Sequence, residues 1–232
     1  MSVATILVID DEPQIRKLLR IVLTAQGFSV SEADNGANGL ARAAADAPDL
    51  IVLDLGLPDL DGTDVVRQIR EWSKVPILIL SVRQAEVEKI EALDAGANDY
   101  VVKPFGSGEL MARVRALLRT AHTGPDQDLL QANVTVGDLV VDIARHEVRL
   151  AGAPVKLTRK EFDLLRVLAQ NAGRILTHGQ LLREVWGKAH EHDTQYLRVF
   201  ISQLRRKLND DPADPRFVLN EPGVGYRMLD QS

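Results

Sequence analysis

Five short apolar runs with little polar alternation recur through the first 121 residues, and they constrain the fold more than any other feature. They are Thr5–Asp10, Phe28–Ala33, Leu50–Asp54, Ile77–Ser81 and Tyr100–Lys103. Such runs suit strands that are covered on both faces, as in a parallel sheet. Segments with helical periodicity lie near residues 13–26, 36–45, 62–72, 85–95 and 107–120. Five βα repeats predict a doubly wound α/β domain with a five-stranded parallel sheet.

The remaining residues predict a second domain of a different class. Residues 134–156 alternate in the manner of a small antiparallel sheet. Three helices are predicted near 158–170, 177–186 and 194–208, and two short strands follow within 216–229. The intervening segment contains Gly124-Pro125 and loses the helical periodicity. We therefore expect a domain at 1–120, a linker at 121–133 and an α+β domain at 134–232.

Composition excludes several classes of protein. The 232 residues include no cysteine, which excludes a disulfide scaffold, thiolate catalysis and cysteine-ligated zinc. No apolar run approaches the roughly 18 residues that a membrane span needs. The first residues lack the basic region of a secretory signal and pass directly into a strand pattern. We expect a cytoplasmic protein that makes no membrane contact.

Polar side chains follow the predicted strands where each strand ends: Asp10-Asp11, Asp54, Ser81 and Lys103. In open parallel sheets, ligands bind beyond these carboxyl ends, at the point where the strand order reverses. Converging carboxylates repel one another unless a hard cation such as Mg²⁺ lies between them. Lys103 can pair with a carboxylate or phosphoryl oxygen, and Ser81 can donate a hydrogen bond to it. Any single acid here would be read as a turn or cap residue. The ordered set instead predicts phosphoryl transfer onto Asp54.

A second acidic motif offers a competing interpretation. Asp59-Leu-Asp-Gly-Thr63 resembles the nucleophile motif of haloacid-dehalogenase-type phosphatases. Those enzymes place the first Asp directly at a strand end, whereas here the strand ends at Asp54 and Leu57-Pro58 intervenes. Asp61-Gly62 is better explained as a turn that leads into the next helix. A phosphatase remains a minor alternative.

The helix predicted at 194–208 carries two distinct faces. Leu197, Ile201, Leu204 and Leu208 form an apolar stripe. The opposite face offers hydrogen-bond donors that suit a DNA major groove, with Lys207 expected nearer the DNA backbone. These candidate DNA-binding residues are Gln195, Arg198, Ser202, Arg205, Arg206 and Lys207. A charged helix face is usually only solvated, but the preceding pair of helices and the terminal hairpin favour DNA binding.

Residues 3–120 resemble the receiver domain of two-component response regulators. The resemblance is carried by Asp10-Asp11, Asp54 in its Leu-Asp-Leu-Gly-Leu-Pro context, Ser81, and Tyr100 followed by Lys103-Pro104-Phe105. It implies that Asp54 accepts a phosphoryl group from a histidine kinase. It also implies that Asp11 and Asp54 bind Mg²⁺ with help from Asp10 and the Gly56 carbonyl, that Ser81 and Tyr100 form a switch pair, and that the Lys103-Pro104 bond is cis.

The second half resembles the winged-helix domain of the OmpR/PhoB class of response regulators. The matching segments are Leu157–Leu165, Gln180–Trp186, Ile201–Leu208 and Gly223–Arg227. The class often has an arginine before the wing glycine, but this chain has Pro222. Reading of the minor groove is therefore not assigned, and Arg227 is expected to be a structural part of the hairpin.

The same class pairs its receivers through helix four, strand five and helix five. Lys89 with Glu109 and Asp99 with Arg113 match two of its crossed ion pairs, and Ile90 and Leu93 are expected to form the apolar centre. A third pair would fall on Asn98 and Thr120, which are both neutral. A homodimer that forms on phosphorylation is still expected, because surface ion pairs contribute only about 0–1 kcal/mol each.

Three further segments resemble regulators of potassium-transport genes within this class: Leu53–Asp59, Trp72–Pro76 and Tyr196–Ile201. The resemblance implies promoter double-stranded DNA as the ligand, with a KdpD-like sensor histidine kinase and RNA polymerase as partners. The chain is expected to be a transcription regulator and not an enzyme. A DNA-binding protein that does not respond to phosphorylation is the remaining alternative.

Overall fold

The computed structural model describes residues 3–82, 85–122 and 133–229. The chain divides into two compact units, Met1–His122 and Thr123–Ser232. The predicted linker at 121–133 lies almost wholly outside the described residues. Among the residues that are described, no helix is both long enough and apolar enough to cross a membrane.

The first unit alternates strands and helices. Its described strands are β1 (Thr5–Ile9), β2 (Ser29–Ala33), β3 (Leu50–Leu53), β4 (Ile77–Ser81) and β5 (Asp99–Val102). Its described helices are α1 (Pro13–Ala25), α2 (Gly36–Asp46), α3 (Gly62–Arg70), α4 (Glu86–Asp94) and α5 (Ser107–His122). The strands form one parallel sheet in the order β2-β1-β3-β4-β5. The predicted doubly wound α/β fold is confirmed.

Burial explains why the strand sequences contain so little polar alternation. Every residue of β3 and β4 is buried, as is β1 from Ile6 onward. Both faces of these central strands are therefore covered, as in other parallel sheets. The strand order reverses between β1 and β3, which are neighbours in the sheet. Their carboxyl ends consequently form the crevice in which ligand chemistry is expected.

The second unit begins with an antiparallel sheet of β6 (Asn133–Val136), β7 (Leu139–Asp142), β8 (Glu147–Leu150) and β9 (Ala153–Pro154). The helices α6 (Arg159–Gln170), α7 (His178–Trp186) and α8 (Thr194–Leu208) follow, with a 3₁₀ turn at Lys188–His190. The chain then forms the hairpin β11 (Val218–Glu221) and β12 (Gly225–Met228). The predicted winged-helix architecture is confirmed.

One strand of the second unit was not predicted from the sequence. β10 (Ile175–Thr177) pairs with β12 and extends the hairpin to a three-stranded sheet. A run of three residues next to a helix start carries almost no strand signal of its own. It becomes a strand because β12, about fifty residues later, supplies the hydrogen-bonding partner.

Local signals set the helix starts of this unit. Thr158 and Glu161 form a capping box at α6, and Thr177 forms another with Gln180 at α7. The predicted apolar stripe of α8 is buried in the core of the unit. The opposite face of α8 is thereby left on the surface.

Candidate functional site

Lys103 lies at the centre of the acidic site. Asp10 and Asp54 follow the adjacent strands β1 and β3, and Lys103 follows β5. The Nζ atom of Lys103 lies 2.8 Å from Oδ2 of Asp10 and 2.9 Å from Oδ2 of Asp54. The exposed fractions are only 1% for Asp10 and 7% for Lys103. The structure therefore brings three of the predicted residues into one buried hydrogen-bonded group.

Burial and hydrogen bonding have opposite effects on the pKa values of Asp10 and Lys103. Desolvation by burial raises the pKa of Asp10, while its hydrogen bond to Lys103 partly opposes that rise. Burial alone would lower the pKa of Lys103, but hydrogen bonds to Asp10 and Asp54 raise it above its ordinary value. Lys103 is therefore a permanent positive charge at the site.

The oxygen donors fit a hard divalent cation. One carboxylate oxygen from each of Asp10, Glu12 and Asp54 lies within 4.8 Å of the others. Three carboxyl groups face one lysine here, so acidic groups outnumber basic ones, an imbalance that suits a cation such as Mg²⁺. The N–H of Gly56 donates to Oδ1 of Asp54 at 3.3 Å and holds the next loop close by.

Glu12 joins this group, although sequence reasoning did not select it. Its N–H donates to Oδ1 of Asp10 at 2.9 Å, and its Oε1 lies 3.4 Å from Nζ of Lys103. Asp11, the expected ligand, is exposed and is not part of the group of three carboxylates. The only sequence signal for Glu12 was its place directly after Asp10-Asp11 in the same acidic run. Because Asp11 lies outside this group, its role as a metal ligand stays a prediction.

The predicted switch residues are both buried. Ser81 ends β4, and its carbonyl accepts a backbone hydrogen bond from Lys103 at 2.9 Å. Tyr100 on β5 is buried, and Nζ of Lys89 lies 5.8 Å from the centre of its ring. The ring therefore points inward in this structure. The Lys103-Pro104 bond is cis, as the resemblance implied.

Three of the residues expected at the dimer face, Asp99, Glu109 and Arg113, pair with one another within the chain. Nη1 of Arg113 lies 2.9 Å from Oδ1 of Asp99, and Nη2 lies 3.0 Å from Oε1 of Glu109. Their crossed pairing between two copies stays a prediction. Asn98, which interrupts the third pair, is buried, and its Oδ1 accepts hydrogen bonds from Arg70 and from the Ile77 N–H.

The expectation for Leu93 needs correction. Leu93 is only 1% exposed because it packs inside the first unit, so it offers no surface to a second copy in this conformation. Ile90 is half-buried. Val87, one turn before Ile90 in α4, is 65% exposed and was not singled out in the sequence. Periodicity alone could not show which side of this short helix faces outward.

The face of α8 opposite its core stripe is narrower than the sequence suggested. Gln195, Arg198, Ser202 and Arg206 are all exposed. They are separated by three, four and four residues, which places them in one row along the helix. Val199 lies beside this row and is 52% exposed. These four polar residues are the predicted DNA contacts that remain available on the surface.

Arg205, one of the candidate DNA-binding residues, makes structural contacts in this structure, and its contact with DNA stays a prediction. The exposed fraction of its side chain is 13%, and its Nη2 donates to the carbonyl of Val218 in β11 at 2.6 Å. Its Nε lies 3.9 Å from the buried carboxylate of Asp210. That carboxylate accepts backbone N–H groups of Arg216, Phe217 and Val218. Arg205 therefore joins α8 to the terminal hairpin.

Lys207 is likewise committed to the protein. Its Nζ lies 2.5 Å from Oε2 of Glu161, a buried residue in the first turn of α6. Because removing it would leave a buried carboxylate without its ion pair, its first role is structural. The structural interpretation of Arg227 is supported, since it pairs with Glu221 at 2.9 Å and donates to the Gly173 carbonyl at 3.0 Å.

The phosphatase-like motif supplies helix termini. Oδ1 of Asp61 accepts the N–H of Thr63 at 2.8 Å and caps α3. Both carboxylate oxygens of Asp59 accept backbone N–H groups at the start of α2. Neither acid takes part in the group around Lys103 among the described contacts, and this geometry does not favour a nucleophile at Asp59.

Comparisons with known proteins identify a family for each of the two units. The family described as response regulator receiver domain matches residues 6–115, and the family described as transcriptional regulatory protein, C terminal, matches residues 152–228. Transcriptional regulatory protein KdpE of Mycobacterium tuberculosis is 48% identical over 225 residues, which cover 96% of this chain and 98% of that protein. The KDP operon transcriptional regulatory protein KdpE of Escherichia coli is 47% identical over 226 residues, with 97% and 98% covered.

A solved structure also matches along nearly the whole chain. The response regulator DrrB of Thermotoga maritima, described as an OmpR/PhoB homologue, has a TM-score of 0.50 and 30% sequence identity. The match covers 98% of this chain and 100% of that one.

Proposed function

Because this chain belongs to the OmpR/PhoB class of DNA-binding two-component response regulators, we propose that phosphorylation of Asp54 switches its binding to promoter DNA. The observation that carries the proposal is Lys103, which lies within 2.9 Å of both Asp10 and Asp54 in a buried group. In the proposed reaction a sensor histidine kinase donates the phosphoryl group. The phosphorus–nitrogen bond of its phosphohistidine breaks, and a bond forms from phosphorus to a carboxylate oxygen of Asp54.

Each side chain at the site has a proposed part in this reaction. Asp10, Asp11, Asp54 and the Gly56 carbonyl would hold Mg²⁺, with Glu12 as a further candidate. When bound, the metal would neutralise charge on the phosphoryl oxygens. Lys103 would exchange one carboxylate partner for a phosphoryl oxygen, and the Ser81 hydroxyl would donate to another. A phosphoryl group carries about −1.5 to −2 charges at neutral pH, so these donors would favour a changed arrangement of the loops.

The response to phosphorylation is proposed to be dimerisation. The receiver population would shift toward a state that pairs through α4, β5 and α5. Two tethered DNA-binding units would then engage neighbouring half-sites, which raises the apparent affinity without new base contacts. The exposed row on α8, Gln195, Arg198, Ser202 and Arg206, would contact the major groove.

The similarity to the KdpE proteins supports a specific target. We propose promoter DNA of a high-affinity potassium pump as the ligand, a KdpD-like sensor as the kinase and RNA polymerase as the downstream partner. The protein would act in the cytoplasm and would not itself be an enzyme, because its proposed chemistry is the acceptance of a phosphoryl group.

A binding titration tests this proposal. A fluorescent fragment of the pump promoter is titrated with protein and Mg²⁺ at fixed salt, with and without beryllofluoride as a phosphoryl mimic. We expect the mimic to tighten binding by about tenfold or more through dimerisation. We expect no such effect in Asp54→Asn. Asp64→Asn removes an exposed acid whose one ion pair among the described residues is with Arg67, and it should behave as wild type.

The outcomes separate the parts of the proposal. Equal specific binding by wild type and Asp54→Asn in every state would contradict the phosphorylation switch. Absence of specific binding in every state would contradict the assignment of the promoter.

A further inference from the structure

Asp59 lies five residues after Asp54, in the loop that joins β3 to α3, and its carboxylate is engaged with a different helix. Its Oδ1 accepts the N–H of Gly36 at 2.8 Å, and its Oδ2 accepts the N–H of Ala37 at 2.9 Å. These two residues begin α2, whose first turn contains no acidic residue of its own. The hydrogen bonds from Ala37 and Gly36 lower the pKa of Asp59, so the carboxylate stays ionised at neutral pH.

The loop packs closely against the elements on either side of it. A Cβ atom on Gly36 would lie 3.0 Å from Cβ of Leu60 and 3.1 Å from Cγ2 of Val65. A Cβ atom on Gly62 would lie only 2.7 Å from the carbonyl oxygen of Asp54. A side chain at Gly62 would collide with the backbone at the end of β3, and one at Gly36 would press on Leu60 and Val65. Residues 55–61 are therefore held between the phospho-acceptor strand and the start of α2.

The same loop carries a component of the acidic site. Gly56 donates its N–H to Oδ1 of Asp54 at 3.3 Å, and its carbonyl is an expected ligand of Mg²⁺. The loop hydrogen bonds described for Asp59 lead away from the site, to α2. A contact of this kind fixes the position of a ligand without touching the metal.

We propose that Asp59 is a positioning residue for the metal site, because it fastens the β3–α3 loop to α2 and thereby fixes the Gly56 carbonyl. This inference rests on the proposed function, since it presupposes that the site binds a divalent cation. A loop held in place before binding has less conformational freedom to lose when the metal arrives, which raises the affinity.

An exposed acid at a helix N-terminus ordinarily makes only a small, salt-screened contribution to stability. A purely structural role for Asp59 would therefore change the unfolding transition and leave the metal affinity unaltered. The affinity for a divalent cation is accordingly the decisive measurement.

The test measures binding of Mn²⁺, in place of Mg²⁺, to the full-length unphosphorylated protein by electron paramagnetic resonance. Asp59→Asn leaves one acceptor oxygen and introduces an NH₂ group where an acceptor is needed. We expect its Mn²⁺ affinity to fall by about 10-fold, the lower end of the effect of residues that support metal ligands. In the metal-free protein, the amide NMR signal of Gly56 should also differ between Asp59→Asn and wild type.

Two further variants separate position from charge. Asp64→Asn removes one negative charge from α3, where Asp64 pairs only with Arg67 among the described contacts. Its Mn²⁺ affinity should change by less than about twofold, as expected for a screened surface charge. Asp59→Glu keeps the charge but lengthens the side chain, and it should also lose affinity.

Equal affinity in wild type and folded Asp59→Asn would overturn the proposal. Equal losses in Asp59→Asn and Asp64→Asn would also overturn it, because they would show an effect of charge alone. Failure of the wild type itself to bind Mn²⁺ would instead remove the proposed metal site. Thermal unfolding of each variant verifies that the protein is folded.

Discussion

At the scale of single residues, the acidic site holds buried carboxylates together around one lysine. Asp10 is almost fully buried, and burial raises its pKa. Its charge therefore opposes folding at neutral pH, even though Lys103 lies 2.8 Å away. Sites that bind metals commonly retain such unfavourable charge because the ligand needs it.

A substitution at Asp10 tests this balance. Asp10→Asn should raise the free energy of unfolding at neutral pH by about 1 kcal/mol, because it removes the buried charge, and it should weaken binding of Mn²⁺. The raised pKa means that protonation favours the folded state. The difference in free energy of unfolding between Asp10→Asn and wild type should therefore vanish as the pH falls below the ordinary pKa of aspartate. It should grow as the pH rises through the raised pKa of Asp10. Urea unfolding at several pH values measures it, and a less stable variant at neutral pH would contradict the argument.

At the scale of secondary-structure elements, α8 has separate residues for supporting the fold and for facing outward. Arg205 holds the terminal hairpin through Val218, and Lys207 holds α6 through Glu161. Arg206 lies between them in the sequence but is exposed. Three consecutive basic residues thus have three different surroundings, because successive residues on a helix point about 100° apart.

Arg205 and Arg206 form a matched pair for a test of these roles. Arg206→Gln should leave the unfolding temperature unchanged. In a plot of the logarithm of the DNA association constant against the logarithm of the salt concentration, the negative slope should become shallower by about 0.9, the value for one lost phosphate contact. Arg205→Gln should lower the unfolding temperature and weaken DNA binding while the salt slope stays constant. Thermal unfolding and DNA titrations at several salt concentrations provide both readouts. A stable Arg205→Gln protein with a reduced slope would instead support Arg205 as a DNA contact.

At the scale of the whole molecule, the proposed switch depends on association between copies. The structure provides Val87 as an exposed apolar residue of α4 next to Ile90, while Leu93 is already buried. A dimer centred on α4 and α5 would therefore bury Val87 and Ile90 first. Within one chain, Arg113 pairs with Asp99 and Glu109. In such a dimer these two acids would be shared with the arginine at the same position of the second copy.

Val87→Asp should prevent dimerisation that beryllofluoride induces, because it places a charge at the apolar centre of the interface. Ile21→Asp is the control, since Ile21 is similarly exposed but lies on α1. Sedimentation of both variants with Mg²⁺ and beryllofluoride measures the effect. Dimers of Val87→Asp as stable as those of the control would exclude Val87 from the interface.

Much of this architecture could be predicted from the sequence because its signals are local. Continuous apolar runs identified the strands of the parallel sheet, and helical periodicity identified the helices between them. The polar residues that end successive strands could be grouped without coordinates, because parallel strands bring their carboxyl ends to one edge. The grouping of Asp10, Asp54 and Lys103 is therefore a consequence of chain order and strand direction.

Other features depend on partners that are distant in the sequence, so they could not be predicted without the folded structure. β10 exists because β12 pairs with it, and Arg205 is withdrawn from the surface by Val218 and Asp210. Lys207 is likewise held by Glu161, which lies 46 residues away. Local patterns in the sequence were enough to place polar residues at the strand ends and basic residues on α8. Packing between elements decided which of these side chains remain free to meet a ligand, because a donor that satisfies a buried acceptor is no longer available to DNA.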